Sequence, residues 1–461
     1  MRVSTHLVYS ATVEKILVPS ASLPPAKRRV ALARKAALAA AASVTVALLG
    51  CTAPEVKKTE APMTPAAPAA TASVTVAVQP APAPSTPVAA APAAATPVAL
   101  PHREAVNAAA RELFEKAQLP AGQKFSVVID PLVDGLTGMQ SLGTAAVEKQ
   151  VASLVGSDFP NYQIKPLNAA NLSAQPLVFI GTFTPINLQG KGTGERDAYR
   201  VCFALADLKT GKIVSKGFAR SQTAGVDATP LPYFQDAPLW VNDKIVEGYI
   251  KTCQGTKAGD PINAAYLDKV SSIAAIDEAT RAYNGKKYQE SLALFTSVLR
   301  NPAGDQPRVH TGVYLSNLKL GRREPAMQAF GKIAQQGMDA KRLAVKFNFQ
   351  QGGASLAKDA SPYDRWVKEL AVQSAKATAS GTCMEVSAHT GRAGSEPLNQ
   401  RLSLQRAEYV KQRLVSERKD LASKITAKGY GSTEALVATG RDDSSDALDR
   451  RVEFKPAACA S

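Results

Sequence analysis

Residues 389–406 read HTGRAGSEPLNQRLSLQR. The first seven residues are rich in glycine, serine and threonine, which is typical of a turn-forming loop. The remainder predicts a helix, and the apolar run at 384–388 predicts a preceding strand. The side chains expected to face the core from this helix are Leu398, Leu402 and Leu404. The polar side chains interleaved with them are Asn399, Ser403 and Arg406.

Three ordered features carry a resemblance to a known family. They are the loop at 389–395, the pattern N-x-x-L-S-x-x-R-A beginning at Asn399, and the later run DRRVEF at 449–454. Together they resemble the OmpA-like domain, the peptidoglycan-binding module of Gram-negative envelopes. The resemblance covers roughly the last quarter of the chain, residues 340–461. It implies a domain with the element order βαβαββ.

The resemblance also implies a binding site. Its expected peptidoglycan-binding residues are Thr390, Gly391, Asn399, Arg406 and Arg450. A peptidoglycan stem peptide offers an amino acid that carries both a carboxylate and an ammonium group. The Arg406 guanidinium suits the carboxylate, because it can donate two parallel hydrogen bonds. Exposed N–H groups of the loop and the start of the following helix also favour an anion.

One position departs from the family, which normally has an aspartate directly after the loop threonine. Here that position is Gly391. Loss of a charge-assisted hydrogen bond, worth about 1.5–3 kcal/mol, would weaken binding by roughly one to two powers of ten. The alternatives are weak binding, compensation by another acid such as Asp446 or Asp449, or a different ligand. Arg406 could also simply pair with a surface carboxylate.

The amino-terminal 50 residues predict a lipoprotein-type signal peptide. A basic segment at 27–35 precedes an apolar segment at 36–50, which is too short to span a bilayer comfortably. The ending Leu-Leu-Gly-Cys resembles a bacterial lipobox, which implies acylation of Cys51 and a palmitate-type anchor. Thr52 in the next position implies an outer-membrane address. The alternative is an ordinary cleaved signal followed by an incidental cysteine.

Residues 51–101 combine the proposed lipidated Cys51 with a linker rich in proline and alanine. Such a composition cannot form a core and predicts an extended chain, which at about 3.1 Å per residue could reach on the order of 150 Å. Residues 102–255 alternate helical and strand patterns and predict a periplasmic α/β domain. The glycine-rich run at 190–194 lacks the order of a phosphate-binding loop and predicts a hairpin tip.

Residues 262–338 contain an internal repeat. Phe295 and Phe330, and likewise Ser291 and Ala326, share a spacing close to the ~34-residue tetratricopeptide period. The segment therefore resembles a pair of tetratricopeptide repeats, with a structural spacer as the alternative. Two repeats are fewer than the ~3 that a free-standing array needs, which predicts docking against a neighbour.

Five cysteines are present, and Cys51 is the expected lipidation site. Cys202 and Cys253 fall within the predicted α/β domain, and Cys383 and Cys459 flank strands of the last domain. An exported chain permits a disulfide in each pair. Spacing alone does not settle the connectivity, so buried free thiols are the alternative.

The net charge and the motifs in the sequence limit the classes of function that this protein can have. The net charge is +16, and residues 1–50 contribute +6 of it through seven basic residues and one acidic residue. No basic run interleaved with aromatic residues follows, so the predicted partners are anionic wall polymer or lipid headgroups and no nucleic acid. The motifs of metalloproteases and serine hydrolases are absent from the sequence. We therefore expect no enzyme, catalytic residue, cofactor or metal site.

The sequence thus predicts an α/β multidomain protein, with an N-terminal α/β domain, a short α-helical repeat pair and a C-terminal OmpA-like βαβαββ domain. The expected function is that of an outer-membrane lipoprotein, facing the periplasm, which tethers the envelope by non-covalent peptidoglycan binding. The alternative is a regulatory or assembly lipoprotein, whose α/β and repeat domains engage a cell-wall synthase or export machine. Either function allows an envelope protein partner.

Overall fold

The computed structural model describes residues 98–120, 122–357 and 362–459. All of these lie in one compact unit, Val88–Ser461. The predicted signal peptide, Cys51 and nearly all of the linker lie outside the described residues.

The first part of the described chain forms a mixed sheet with helices on both faces. Its elements are α1 His102–Glu115, β1 Phe125–Ile129, β2 Val133–Asp134, α2 Leu142–Asp158, β3 Tyr162–Lys165, α3 Ala169–Ser173, β4 Leu177–Ile186, β5 Ala198–Asp207 and β6 Lys212–Gln222. The strand order is β3-β1-β4-β5-β6, with β2 paired to β4. Strands β3, β1 and β4 are parallel, whereas β4, β5 and β6 are antiparallel. The glycine-rich run at 190–194 joins β4 to β5, so its prediction as a hairpin tip is confirmed.

Strand β4 shows why the sheet needs two helical layers. All ten of its residues are buried. Leu177 and Phe179 pack into a core with α1 and α2, whereas Val178 and Ile180 pack into a second core on the other face. Successive side chains of a strand point to opposite faces, so a strand that is apolar throughout must be covered on both sides.

A helical segment follows the first sheet. Its elements are α4 Pro232–Asp236, β7 Leu239–Val241, α5 Lys244–Gln254, α6 Ala264–Leu267, α7 Val270–Asn284, α8 Tyr288–Val298, α9 Pro307–Lys319 and α10 Arg323–Asp339. From α7 to α10, each helix packs against the next. Lys286 and Gly321 occupy corresponding turns, and both have positive φ. The assignment of these helices to the tetratricopeptide class stays a prediction.

The last part of the chain forms a second sheet. Its elements are β8 Leu343–Val345, α11 Tyr363–Ala377, β9 Cys383–Ala388, α12 Glu396–Glu417, β10 Ile425–Gly429 and β11 Val452–Ala457. This is the βαβαββ order expected from the sequence. The strand order is β10-β9-β11-β8-β7, so β7 from the earlier segment completes the sheet. The domain limits of 102–255, 262–338 and 340–461 remain predictions. Strand β7 lies within the first of these ranges and pairs with β8, which lies within the last.

The α7–α10 helices and the second sheet share one hydrophobic core. Trp366 of α11 donates its indole N–H to the Tyr314 hydroxyl of α9 at 3.1 Å. The same indole stacks on Phe330 of α10, with ring centroids 5.4 Å apart. Helices α7–α10 are therefore packed against α11 and the second sheet.

Helix α12 packs with a different face from the one expected. Leu398 and Leu404 are 55% and 40% exposed, whereas Asn399, Ser403 and Arg406 are buried. The reason is a close approach to β10: a Cβ at Gly429 would lie 2.4 Å from the Leu404 nitrogen. Only small side chains fit at such a contact, so the leucines turn outward and the expectation from the sequence is wrong here.

Two disulfides join Cys202 to Cys253 and Cys383 to Cys459, with Cα atoms 6.1 Å and 4.9 Å apart. The first lies between β5 and α5, and the second fastens the end of β11 beside the start of β9. None of the helices in the described ranges is both long enough and apolar enough to cross a membrane.

Candidate ligand-binding site

The loop at 389–395 is held at its start by backbone hydrogen bonds. The His389 N–H donates to the Arg451 carbonyl and the Thr390 N–H donates to the Gly431 carbonyl, each at 2.9 Å. Inside the first turns of α12, the Ser403 hydroxyl accepts the Gly431 N–H at 2.9 Å. The loop, α12 and the segment after β10 are thus fixed to one another.

Arg406 of α12 is 8% exposed. Its Nε donates to the Gly353 carbonyl at 3.0 Å, and its guanidinium lies 4.7 Å from the ring centre of Phe349. Burial lowers the pKa of Arg406, and the nearby charge of Arg450 adds to the effect. No carboxylate within the described part of the chain forms an ion pair with it. The alternative of a simple surface ion pair for Arg406 thus finds no partner among those residues.

Arg406 lines a cavity of about 360 Å³, which we call the arginine cavity. It also contains Arg450 and Lys346, and residues 235–238 from the segment before β7 form one side. Its lining residues are Gln235, Asp236, Ala237, Pro238, Lys346, Phe347, Asn348, Phe349, Tyr363, Trp366, Arg406, Ala447 and Arg450. Three cations face one acid, Asp236, so the cavity favours an anionic group.

Asp236 and Lys346 are both engaged with neighbouring protein groups. Asp236 accepts a hydrogen bond from Tyr283 at 2.7 Å and pairs with Lys319 at 2.9 Å. Lys346 donates to the carbonyls of Phe234 and Gln235 at 3.0 and 2.9 Å. Burial lowers the pKa of Lys346 to about 8, although the charge of Asp236 opposes the shift.

Gly391 lies beside an acidic side chain from another loop. A Cβ built on Gly391 would be 2.7 Å from Oδ1 of Asp442. Arg450 donates from Nη1 to the same oxygen at 2.6 Å and from Nη2 to the Asp443 carbonyl at 2.9 Å. The space that a side chain at position 391 would enter therefore already holds a carboxylate.

In a comparison of the sequence with known families, the family described as OmpA family matches residues 348–448. Residues 348–448 form an OmpA family domain. The match leaves the α/β and helical segments outside it.

Outer membrane porin F from Pseudomonas fluorescens is 41% identical over 111 residues, covering 24% of this chain and 31% of that protein. The alignment thus spans about a third of that relative's length. Two solved structures, the cell wall anchor of the T6SS from Pseudomonas aeruginosa and the OmpA-like domain of FopA1 from Francisella tularensis, are each 24% identical. They cover 25% and 26% of this chain and 80% and 77% of their own, with TM-scores of 0.20 and 0.19. These TM-scores support no inference about the rest of the chain.

The five residues that the family resemblance points to do not all line the arginine cavity. Arg406 and Arg450 line the arginine cavity together, whereas Thr390, Gly391 and Asn399 do not belong to its lining. Thr390 and Asn399 are 4% and 6% exposed. Thr390 Oγ1 and Asn399 Nδ2 have no hydrogen-bond partner within the described ranges.

Asp446 and Asp449, suggested as compensating acids, have structural roles instead. Asp449 accepts the N–H groups of Leu436, Val437 and Ala438 at 2.6–2.8 Å. Asp446 accepts those of Thr439 and Asp442 at 2.8 and 3.0 Å. Both side chains are almost fully buried, so neither is available to a ligand.

A second charged group lies along the second sheet, and we call it the buried charge network. It consists of Arg342, His389, Arg451, Glu453 and Lys455. Arg451 donates to Glu453 at 2.5 Å, and Arg342 and Lys455 pair with the same carboxylate at 3.4 and 2.7 Å. Burial and then the charge of Arg451 lower the pKa of His389 to about 3. His389 stacks on Tyr430, with ring centroids 5.2 Å apart.

Sequence reasoning missed Asp442, Lys346 and residues 235–238. The sequence does not single out Asp442, because four acidic residues occur within residues 442–449 and only the fold distinguishes their roles. The positive φ of Asp442, 54°, is a conformation that aspartate tolerates better than most residues. No sequence pattern indicated that residues 235–238 would line a binding site.

Proposed function

We propose that this protein binds peptidoglycan through its OmpA family domain, and that a lipid on Cys51 holds it in the outer membrane, facing the periplasm. The observation that carries the first part is the state of Arg406. It is a largely buried cation without a carboxylate partner in the described ranges, and it lines a cavity with two further cations. A buried, unpaired guanidinium is costly unless a ligand supplies the anion.

Phe349 and Gly353 support this role by fixing the arginine before any ligand arrives. The ring and the carbonyl hold one side of the guanidinium, so its remaining N–H groups keep one orientation. A fixed planar donor loses little conformational freedom on binding a carboxylate. Carboxylates are present in peptidoglycan stem peptides, whereas the glycan strands offer chiefly hydroxyl and amide groups.

Co-sedimentation of the full-length protein with purified sacculi, in mild detergent, tests wall binding. We expect the wild type to pellet and Arg406→Ala to remain in the supernatant. Arg401→Ala is the matched control, because it removes one charge from an exposed position of the same helix. Muramidase digestion should release the bound wild type. Failure of the wild type to pellet, or equal pelleting by Arg406→Ala, would refute the proposal.

The anchor is a separate part of the proposal. Its support is the lipobox-like ending before Cys51 and the long linker after it. Growth with a clickable palmitate analogue should label the wild type, and Cys51→Ser should abolish the label. Labelling that persists in Cys51→Ser would place any lipid elsewhere.

One observation favours a second role in binding an envelope protein. A cleft of about 260 Å³ lies between the 135–139 loop, α5 and α9, and its lining includes Trp240, Ile250 and Arg308. We propose that a partner contacts this cleft, as the regulatory alternative requires. Photo-cross-linking from position 250 in cells should capture a defined partner, and Trp240→Ala should reduce the yield. No cross-linked band, beside a positive band from a control site, would remove this role.

A further inference from the structure

Asp442 is presented at the surface by a loop whose backbone is tied down. Five N–H groups of the loop segment 436–442 donate to Asp446 and Asp449, including the Asp442 N–H at 3.0 Å. Next to it, Arg441 donates from Nη2 to the Val226 carbonyl at 3.2 Å. A side chain carried by such a loop is positioned in advance of any ligand.

The Asp442 carboxylate has one engaged and one open oxygen. Oδ1 accepts from Arg450, while Oδ2 has no hydrogen-bond or ion-pair partner within the described ranges. The side chain is 44% exposed, so a ligand can reach it. Arg450 in turn lines the arginine cavity with Arg406. A free acceptor therefore lies beside Arg450, one of the three cations that line the cavity.

Gly391 makes this arrangement possible. A side chain there would push against Oδ1 of Asp442, because even a Cβ would come within 2.7 Å. Gly391 and Asp442 therefore share one space, and only one of the two positions can carry a carboxylate without displacing the other. In this chain the carboxylate comes from position 442.

We propose that Asp442 binds the ammonium group of a zwitterionic amino acid in the ligand, while Arg450 and Arg406 bind its carboxylate. Asp442 thereby does what an acid at position 391 would otherwise do. This inference rests on the proposed wall binding and names the chemical class that the site recognises. A carboxylate and an ammonium on one ligand carbon are neighbours, as are Asp442 and Arg450 at 2.6 Å.

The test is a set of full-length variants in the sacculus assay. Asp442→Asn keeps the shape and tolerates the positive φ, but removes the charge, and we expect binding to fall about tenfold or more. Gly391→Asp alone should not improve binding, because two carboxylates would compete for one space. Gly391→Asp combined with Asp442→Ala should recover most of the binding lost in Asp442→Ala. Glu408→Gln, an exposed position on α12, is the matched control.

A chemical change in the wall tests the ammonium directly. Sacculi whose free amines have been acetylated should bind the wild type about tenfold more weakly, and Asp442→Asn should bind both preparations alike. Far-ultraviolet circular dichroism and thermal melting confirm that each variant is folded.

The outcomes separate the two proposals. Wild-type binding equal to that of Asp442→Asn, with Arg406→Ala inactive, overturns this inference and leaves wall binding intact. Failure of the double variant to exceed Asp442→Ala also overturns it, because positions 391 and 442 would then not be equivalent. No pelleting by the wild type refutes wall binding itself.

Discussion

Two arginines of the last part of the chain, Arg451 and Arg406, are both largely buried but meet different surroundings. Arg451 is 1% exposed, and Glu453, which pairs with it, is fully buried. Arg406 meets a carbonyl and a ring, and no carboxylate within the described ranges. The charge of Arg451 is thus satisfied inside the protein, whereas that of Arg406 faces a cavity. The difference teaches that burial alone does not mark a binding residue; the missing counter-charge does.

Glu453→Gln should have the largest effect, because it leaves Arg451 buried without a counter-charge. We expect a loss of about 3–5 kcal/mol in the free energy of unfolding, since removing one partner of a buried ion pair leaves an uncompensated charge. Urea denaturation followed by circular dichroism measures it. Glu417→Gln, an exposed position on α12, is the control and should change stability little. A loss below about 1 kcal/mol would mean that Arg451 is not held by this pair.

His389 should make the buried charge network sensitive to acid. Its pKa is about 3 in the folded protein and 6.5 in the unfolded chain, so the unfolded state binds the additional proton. Its stabilising contribution is complete above pH 6.5 and is lost as the pH falls towards 3. Between pH 7 and 5 the wild type should lose roughly 2 kcal/mol of unfolding free energy from this group.

His389→Phe keeps an aromatic ring against Tyr430 and removes the titration. Relative to the wild type, the unfolding free energy of the variant should therefore rise by roughly 2 kcal/mol between pH 7 and 5, because every other group titrates alike in both proteins. This window lies above the range in which Glu453 titrates, because the charges of Arg451 and Arg342 overcome burial and lower the pKa of Glu453 to about 2. Parallel pH profiles of the two proteins would rule out this assignment.

Arg406→Ala should reduce ligand binding more than stability, in contrast to Glu453→Gln. We expect sacculus binding to fall by roughly one to two powers of ten, since a charge-assisted hydrogen bond is worth about 1.5–3 kcal/mol. The free energy of unfolding should fall by only about 1–2 kcal/mol, because the Gly353 carbonyl loses its donor but no protein carboxylate in the described ranges is left unpaired. Binding isotherms and urea denaturation of the same preparation measure both. A large loss of stability would make Arg406 a structural residue like Arg451.

Lys346→Gln should have the smallest effect. Its pKa of about 8 means that the wild-type cavity loses a charge as the pH rises from 7 to 9. We expect wild-type binding to weaken about twofold over this range, corresponding to about 0.5 kcal/mol, and Lys346→Gln to respond less. The variant also controls for amines of the sacculus, which titrate alike in both assays. An equal response would exclude Lys346 from the binding energy.

The surroundings of these residues also show which features of the fold and the site could be predicted from the sequence. The order of strands and helices in the last part of the chain and the hairpin tip between β4 and β5 follow from local patterns, and the family resemblance singles out Arg406 as a proposed site residue. The inner face of α12 could not be predicted, because its leucines turn outward where Gly429 brings the helix close to β10. Asp442 could not be separated from Asp446 and Asp449, since only their hydrogen bonds distinguish them.

The sequence by itself determined which short segments form helices, strands and turns, because those preferences arise from neighbouring residues and their spacing. The tertiary structure alone decided that β7 completes the second sheet, that residues 235–238 close one side of the arginine cavity, and that Asp442 fills the space beside Gly391. Each of these is a contact between segments far apart in the chain. Such contacts depend on the path of the whole backbone. This path cannot be predicted from the residue pattern of one segment.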